Sequence, residues 1–325
     1  MEIKGILVTE LAPFENHIAN GGEKLLGNAS SIKRRPDGRV YVSGQMQRHV
    51  LFSAINRLNL SDPNHGNTFV SNGDGISNQI ENDLRADMGG FMHPSKGDYS
   101  GRRTAPLSVT PAVAMKESEI GRDLLMRLQN NVKGEKAYPN GYLIRDEETN
   151  NSSEDPNKQA LATKEFSECD LMHMNFFLDI SALSISKAFT YEGGFNLGTK
   201  YFKHASEEER KRRACLYLKA TKSMNDYANQ ARNAISGEPQ QVLIVFDTVL
   251  SRKASRYFTA EEEERINILA ELEERGAKYF IGNDKSKISV ASAYKDALNF
   301  LQSNMLYDPS NGANILTFQE AFGNA

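Results

Sequence analysis

A stretch of about 50 residues, 61–111, restricts the choice of fold more than any other feature of the sequence. It is rich in Gly, Asn, Asp and Ser, and its apolar residues follow neither the helical nor the strand period. Loops longer than about 15 residues are uncommon in compact domains and usually carry a function. Such an interruption does not fit a doubly wound sheet, in which strands and helices alternate regularly along the chain. We therefore expect an elaborated domain with a functional insertion over residues 61–111.

Strand-like and helix-like segments alternate on both sides of this stretch. Residues 3–11 resemble a strand that is buried on both faces, and the apolar spacing over residues 45–59 is typical of an amphipathic helix. Further strands are predicted at 39–42, 171–181, 241–247 and 277–282, and further helices at about 118–130, 206–237, 259–276 and 289–305. A Rossmann fingerprint is absent, because Gly21-Gly22 is not followed by the third glycine and a helix. The pattern predicts an α+β fold, with an antiparallel sheet in the split βαβ arrangement of ferredoxin-like and RNA-recognition domains.

Two of the predicted helices begin with a capping box. Ser206 is followed by Glu209, and Thr259 is followed by Glu262. In this motif the hydroxyl accepts a hydrogen bond from the third helical N–H, and the acid reaches back to the cap. We therefore expect these helices to start at residues 206 and 259.

The charge of the chain is unevenly distributed. The formal net charge is −3, which alone argues against a nucleic-acid partner. Residues 28–60, however, hold six basic residues against one acidic residue, whereas residues 259–275 hold seven Glu against two Arg. The small total is a cancellation, so a local phosphate-binding surface is compatible with it.

The basic segment leads into a predicted helix N-terminus, where backbone N–H groups and the helix dipole favour a phosphate. The candidate RNA-binding residues here are Lys33, Arg34, Arg35, Ser43, Gln45, Gln47 and Arg48. The alternative is that the basic loop is a solvated tip and that Ser43 is a plain helix cap.

A second candidate surface lies in the glycine-rich stretch. Arg102 and Arg103 could bind phosphates, and Phe91 and Met92, which follow two glycines, could stack on bases of a single strand. Alternatively, Phe91 and Met92 anchor the insertion through apolar packing.

Catalytic and metal-binding patterns are not found in the sequence. The six histidines are dispersed, and no H-E-x-x-H, G-x-S-x-G or Walker motif occurs. Cys169 and Cys215 are most simply buried thiols of a reducing cytoplasm, and the N-terminal residues show no secretion signal. We expect a cytoplasmic protein without a cofactor. Asp83, Asp87 and Asp98 could in principle hold a divalent metal.

Three segments, in this order, resemble one family. They are VYVSGQMQR at 40–48, DMGGFM at 87–92 and RTAPLSVTPA at 103–112. This set is similar to the DevR-type RAMP proteins, the backbone subunits of type I CRISPR Cascade complexes, and most similar to those of type I-B.

The resemblance implies a division of the chain. An RNA-recognition-like palm would comprise residues 1–60 and 112–325, with a finger-like insertion at 61–111. A thumb-like loop would lie within about 188–204 or 140–164. Copies would stack head to tail along a CRISPR RNA, with target DNA paired to the guide and other Cascade subunits as partners.

The resemblance also implies that the protein is not an enzyme, and that the RNA-binding candidates named above hold the guide backbone. The alternative is a RAMP-type endoribonuclease that processes CRISPR RNA. Such enzymes have a C-terminal glycine-rich loop and a general-base histidine, whereas residues 276–325 contain four scattered glycines and no histidine. A small-molecule enzyme with an incidental basic loop is a further alternative.

Overall fold

The structure is a computed structural model that describes residues 1–19, 23–24, 30–72, 77–93, 101–128, 135–137, 143–145, 159–231 and 233–322. Its helices are α1 (Gly44–Leu60), α2 (Leu84–Gly89), α3 (Glu207–Thr221), α4 (Glu262–Glu274), α5 (Val290–Ser303) and α6 (Phe318–Phe322), with a short 3₁₀ helix at Lys253–Arg256.

The strands lie mainly before residue 204. They are β1 (Glu2–Ile3), β2 (Gly5–His17), β3 (Glu23–Lys24), β4 (Ser30–Ser31), β5 (Tyr41–Val42), β6 (Phe91–His93), β7 (Gly101–Arg103), β8 (Leu107–Val109), β9 (Ala112–Ala114), β10 (Ile120–Leu128), β11 (Glu135–Ala137), β12 (Leu143–Arg145), β13 (Gln159–Asp179), β14 (Ile185–Glu192), β15 (Phe195–Lys203), β16 (Gln241–Asp247), β17 (Lys278–Asn283) and β18 (Met305–Leu306).

The main sheet is built around the long strand β13. Its order begins β17-β16-β2-β13, and β8, β9 and β10 also pair with β13. All of these pairings are antiparallel. Helix α1 follows β2 in the chain, and α3 follows β13. The predicted α+β class with an antiparallel sheet is therefore confirmed.

Both faces of the sheet are covered near β2, which explains its apolar residues at successive positions. Ile6 and Val8 belong to the larger core, together with side chains of α1, α3 and α5. Leu7 and Leu11 belong to a second core with Ile268 of α4. Burial on both sides selects apolar residues at every position of a strand rather than at alternate ones.

Helix α3 begins where the capping box predicts but is shorter than expected. The Ser206 hydroxyl accepts a hydrogen bond from the Glu209 N–H over 3.2 Å. The helix ends at Thr221 rather than near residue 237. Tyr227 and Ile235 are buried although they lie outside the helix, because the irregular segment after it packs on the core. Their apolar spacing therefore reflects burial of a loop.

Two other sequence predictions are wrong. The segment predicted as a helix at 118–130 forms strand β10, which pairs with the first part of β13. Short apolar runs are compatible with a helix or a strand, and here the pairing with a strand that is distant in sequence favours the strand. Helix α4 begins at Glu262 after Glu261, without a side-chain cap, so the box at Thr259 does not form.

The glycine-rich stretch is tied to the main body at two places. Leu84 and Met88 of α2 belong to the larger core, and β8 pairs with β13. Residues 73–76 and 94–100 of the predicted insertion lie outside the described residues. Among the described helices, none is long and apolar enough to cross a membrane.

Candidate nucleic-acid interface

An open pocket of about 560 Å³ lies at the N-terminus of α1. It is lined by Gly44, Gln45, Arg48, Gly89, Gly90, Phe91, Arg103, Leu107 and Val109. The Ser43 side chain caps the helix by accepting a hydrogen bond from the Met46 N–H. The first turn carries no acidic residue, so the positive end of the helix dipole faces the pocket without a neutralising carboxylate. The pocket is suited to a phosphate.

Gln45 and Arg48 are the polar side chains that α1 contributes to this pocket. Gln45 is exposed, whereas Arg48 is half-buried and donates from Nη2 to the Gly89 carbonyl over 2.5 Å. The Arg48 guanidinium also lies 5.6 Å from the centre of the Phe52 ring. These contacts hold the cation at the pocket wall.

Gln47 is not part of this interface, which corrects the sequence prediction. Its side chain is fully buried, its amide donates to Met174 Sδ over 3.1 Å, and its Oε1 accepts from the Tyr227 hydroxyl over 3.0 Å. Gln47 lies three, four and seven positions before Val50, Leu51 and Ala54, and therefore shares their core-facing side of the helix.

The basic loop before α1 is a turn whose arginines are paired with acids. Arg34 lies 3.4 Å from Glu165, and Asp37 pairs with Arg39 at 2.7 Å and with Arg35 at 3.9 Å. The hydrogen bond from Arg39 lowers the pKa of Asp37. Lys33 is half-buried, and Arg34 and Arg35 are exposed. The loop stays basic in sum, but its field is weaker than the sequence suggests.

Arg103 is also misplaced in the sequence prediction. Its side chain is only 8% exposed and is held by Asp87 at 2.8 Å and by three groups of the segment 182–186. Burial among these acceptors leaves Arg103 as a structural residue rather than a surface ligand for RNA. The side chain of its neighbour Arg102 lies outside the described residues.

Phe91 does not present its ring for base stacking. It is buried against Phe318, edge to face at 5.3 Å between ring centres, and shares a small core with Ile80 and Ala86. The alternative, an apolar anchor, describes its position. The side chain of Met92 lies outside the described residues.

Asp87 is engaged by cations rather than available to a metal. Its Oδ1 accepts from Arg103 and the Ser184 N–H, and its Oδ2 accepts from Arg213 and the Ser184 hydroxyl, all within 2.8 Å. Burial opposes the charge, but Arg213 and Arg103 outweigh it and lower the pKa of Asp87. Asp98 is outside the described residues, and the described part of the chain holds no group of three metal-ligating side chains.

The hairpin β14–β15 includes one of the two predicted thumb locations, and it carries residues that the sequence analysis did not single out. Tyr191 and Phe195 are 63% and 76% exposed, and Phe189, Leu197 and Tyr201 are exposed as well. Phe189, Tyr191 and Tyr201 lie on one face of the hairpin, because Tyr201 pairs with Lys187, which is two positions before Phe189. Exposed apolar side chains that share a face usually mark an interaction surface. The sequence signal for these residues was the spacing of Phe189 and Tyr191 at two positions, which is typical of one face of a strand. The other location, 140–164, lies mostly outside the described residues.

Comparison with known proteins gives one family and one fold. Residues 17–235 match the model of a family described as "CRISPR-associated negative auto-regulator DevR/Csa2". No curated protein that was compared with the chain matches it.

Two solved structures resemble the chain over nearly its whole length. A chain of a "CRISPR RNA-guided surveillance complex" is 13% identical, with a TM-score of 0.49, and the match covers 93% of this chain and 94% of that chain. A chain of a "CRISPR RNA-guided surveillance complex, pre-nicking" is 10% identical, with a TM-score of 0.50, and the match covers 91% and 99%. At this identity the second match indicates a similar fold.

Proposed function

The chain belongs to the CRISPR-associated DevR/Csa2 family, and on this premise we propose that it is a non-catalytic backbone subunit that binds the guide RNA of a surveillance complex. The observation that carries the proposal is the pocket at the N-terminus of α1, in which Gln45 and Arg48 flank a helix end without acidic residues.

The strand order supports an RNA-recognition-like palm. The strands β16, β2, β13 and β8 lie side by side in this order. In the chain, α1 lies between β2 and β8, and α3 lies between β13 and β16. This is the split βαβ pattern. The basic turn at residues 34–39 leads through β5 into α1, whose N-terminus lies at the phosphate pocket.

Each group at the pocket has a distinct role in this proposal. The first turn of α1 offers N–H groups that the helix cannot pair internally. Gln45 adds a neutral hydrogen bond, and Arg48 adds a charge that is already oriented by the Gly89 carbonyl. Arg34 and Arg35 attract the backbone from a greater distance. The surface can therefore bind RNA without reading its sequence, as a guide-carrying subunit requires.

The hairpin β14–β15 is the better candidate for the thumb. Its exposed aromatic rings can stack on bases, and Lys187 and Lys200 add positive charge. In a head-to-tail filament this hairpin would reach the guide held by the next copy. Target DNA would pair with the exposed guide bases, and other Cascade subunits would cap the filament. The resemblance at residues 40–48 and 103–112 supports a type I-B complex.

The pocket lining supports a binding role rather than catalysis. Among the described residues that line it, none is a histidine or a carboxylate that could serve as a general base. Arg103, the other cation at the wall, is occupied by Asp87.

The deciding experiment compares RNA binding by the wild-type protein and by two pocket variants. Arg48→Glu reverses the charge at the wall, and Gln45→Glu places an acid at an exposed site in the first helical turn, where it favours folding but repels phosphate. Lys287→Glu, at an exposed position on the turn before α5, changes the charge as much as Arg48→Glu does and serves as the control.

The wild-type protein should co-purify with RNA, as absorbance at 260 nm shows, and both pocket variants should lose it while the control retains it. Wild-type binding in the folded variants would overturn the proposal. Specific cleavage of labelled repeat RNA by the wild-type protein would replace it with the endoribonuclease alternative.

A further inference from the structure

Four elements meet at a buried ionic cluster formed by Asp87, Arg103, Arg213 and Ser184. Asp87 belongs to α2, Arg103 ends β7, Arg213 belongs to α3, and Ser184 immediately precedes β14. The two arginine nitrogens lie 2.8 and 2.7 Å from the two oxygens of Asp87. The cluster therefore connects the glycine-rich segment, the helical core and the start of the hairpin.

Arg103 makes the connection to the hairpin. Its Nη1 donates to the Ile185 carbonyl over 2.8 Å and to the Ser186 hydroxyl over 3.1 Å, and its Nη2 donates to the Ala182 carbonyl over 2.5 Å. Its Nε donates to the Asp87 carbonyl over 3.2 Å. Only a planar guanidinium supplies donors in so many directions, so a lysine cannot reproduce this set.

The other strand of the hairpin is tied down by the C-terminal segment. Lys203, the last residue of β15, pairs with Asp308 at 2.7 Å, and its carbonyl accepts from the Leu316 N–H. Phe318, two residues further on, packs on Phe91 of β6. Both strands of the hairpin are thus fixed at their base to the β6–β7 pair, one through Arg103 and one through residues 308–318.

The β6–β7 pair also forms a wall of the pocket at α1. Gly90, Phe91 and Arg103 line that pocket. The distance between the pocket and the exposed aromatic residues of the hairpin therefore depends on contacts that Arg103 makes.

We propose that Arg103 is a positioning residue that sets the hairpin at a fixed distance from the phosphate pocket, and thereby sets the spacing at which each subunit engages RNA. The proposal rests on the proposed function, since it concerns how two parts of one RNA-binding surface are held together. Arg103 touches no RNA in this role and acts through Ala182, Ile185 and Ser186.

The cluster allows the role to be tested without loss of the fold. In Arg103→Gln, Asp87 keeps its contacts with Arg213 and Ser184, so the buried carboxylate stays compensated. Arg103→Lys restores the charge but not the fork of donors. Asp308→Asn weakens the ion pair with Lys203 that holds β15, and it is the matched comparison.

Two measurements are decisive. Hydrogen exchange of amides 187–191 in the RNA-free protein reports how firmly the hairpin is held, and nuclease footprints on long RNA report the spacing of subunits. We expect Arg103→Gln to speed the exchange by about tenfold relative to the wild type, to blur the periodic footprint, and to lower RNA affinity by less than Arg48→Glu does. The exchange rate of Arg103→Lys should lie between those of the wild type and Arg103→Gln, because the charge alone does not fix the position of the hairpin.

The results separate this proposal from the proposed function. If the wild-type protein does not bind RNA, the proposed function fails, and the exchange measurement still decides whether Arg103 holds the hairpin. Unchanged exchange and an unchanged footprint in folded Arg103→Gln would overturn the positioning role. A loss of RNA affinity equal to that of Arg48→Glu would show that Arg103 contacts RNA itself, which also overturns it.

Discussion

Arg213 donates from Nη1 to Asp87 Oδ2 over 2.7 Å, and both side chains are fully buried although they lie 126 residues apart in the chain. Buried charges are costly unless they are paired and hydrogen-bonded. This pair, in which Asp87 also accepts a hydrogen bond from the Ser184 hydroxyl, therefore holds α2 against α3 only while both charges are present.

The first prediction concerns Asp87→Asn, which removes the charge and keeps the size of the side chain. Arg103 then loses its paired carboxylate and Arg213 keeps its pair with Glu209, so the free energy of unfolding should fall by about 3–5 kcal/mol. Urea unfolding measures the change. Asp226→Asn is the control, because the contacts of Asp226 with His49 and Ser53 are exposed and should matter by less than about 1 kcal/mol. Equal effects of the two changes would contradict the role of the cluster.

The second prediction is a pH-dependent loss of stability caused by Glu10. This side chain is fully buried among the helices, and burial raises its pKa well above the ordinary value, against a weaker lowering by the Tyr294 hydroxyl. A raised folded-state pKa means that the neutral form is favoured in the fold. The stability that it contributes is complete below the pKa of the unfolded chain and is lost as pH rises through the folded-state pKa.

Glu10→Gln removes this dependence, since the amide never ionises. The variant should gain stability over the wild type by up to about 1.4 kcal/mol per pH unit above pH 5, until the folded-state pKa is passed. Urea unfolding at intervals between pH 5 and pH 8 measures the gain. Parallel stability curves for the two proteins would show that Glu10 is ionised in the fold.

The third prediction concerns Gly90, whose φ of +67° and close surroundings exclude a side chain. A Cβ atom there would lie within 2.8 Å of the Arg103 carbonyl and the Ala105 nitrogen. Gly90→Ala should cost more than about 2 kcal/mol, because backbone strain and a clash with backbone atoms add together. Gly194→Ala is the control. It has a φ of +84° with no atom within 4 Å, so it should show the strain alone, about 1 kcal/mol. Thermal unfolding of both variants distinguishes the two costs.

The fold could be predicted from sequence where burial alone decides the pattern. Strand β16 was predicted with the bounds it has, because an apolar run that is covered on both faces is distinctive. Strand β10 could not be, since its pairing with β13 involves residues about 40 positions away and local spacing fits a helix as well.

The residues of the candidate site also differ in whether local sequence is enough to predict their position. Gln45 and Arg48 were placed at the helix end from local sequence alone, and Gln47 could have been excluded by its spacing from Val50 and Leu51. The burial of Arg103 was not predictable, because its partners at Asp87 and 182–186 are brought to it only by the folded chain. A charged residue beside glycines resembles a surface ligand until its acceptors are known.

The last prediction separates folding from assembly at the hairpin β14–β15. Phe195 and Tyr191 are exposed, so Phe195→Ser and Tyr191→Ser remove little buried surface and should change the free energy of unfolding by less than about 0.5 kcal/mol. If the hairpin reaches the RNA or the next copy, the same changes should weaken RNA binding by about tenfold or more, since base stacking contributes about 1–3 kcal/mol per base.

Ile288→Ser, on another exposed turn, is the matched control for loss of an exposed apolar side chain. Filter binding on long RNA and thermal unfolding of the same preparations test both halves, and wild-type binding by the double variant Tyr191→Ser/Phe195→Ser would exclude the hairpin from the interface.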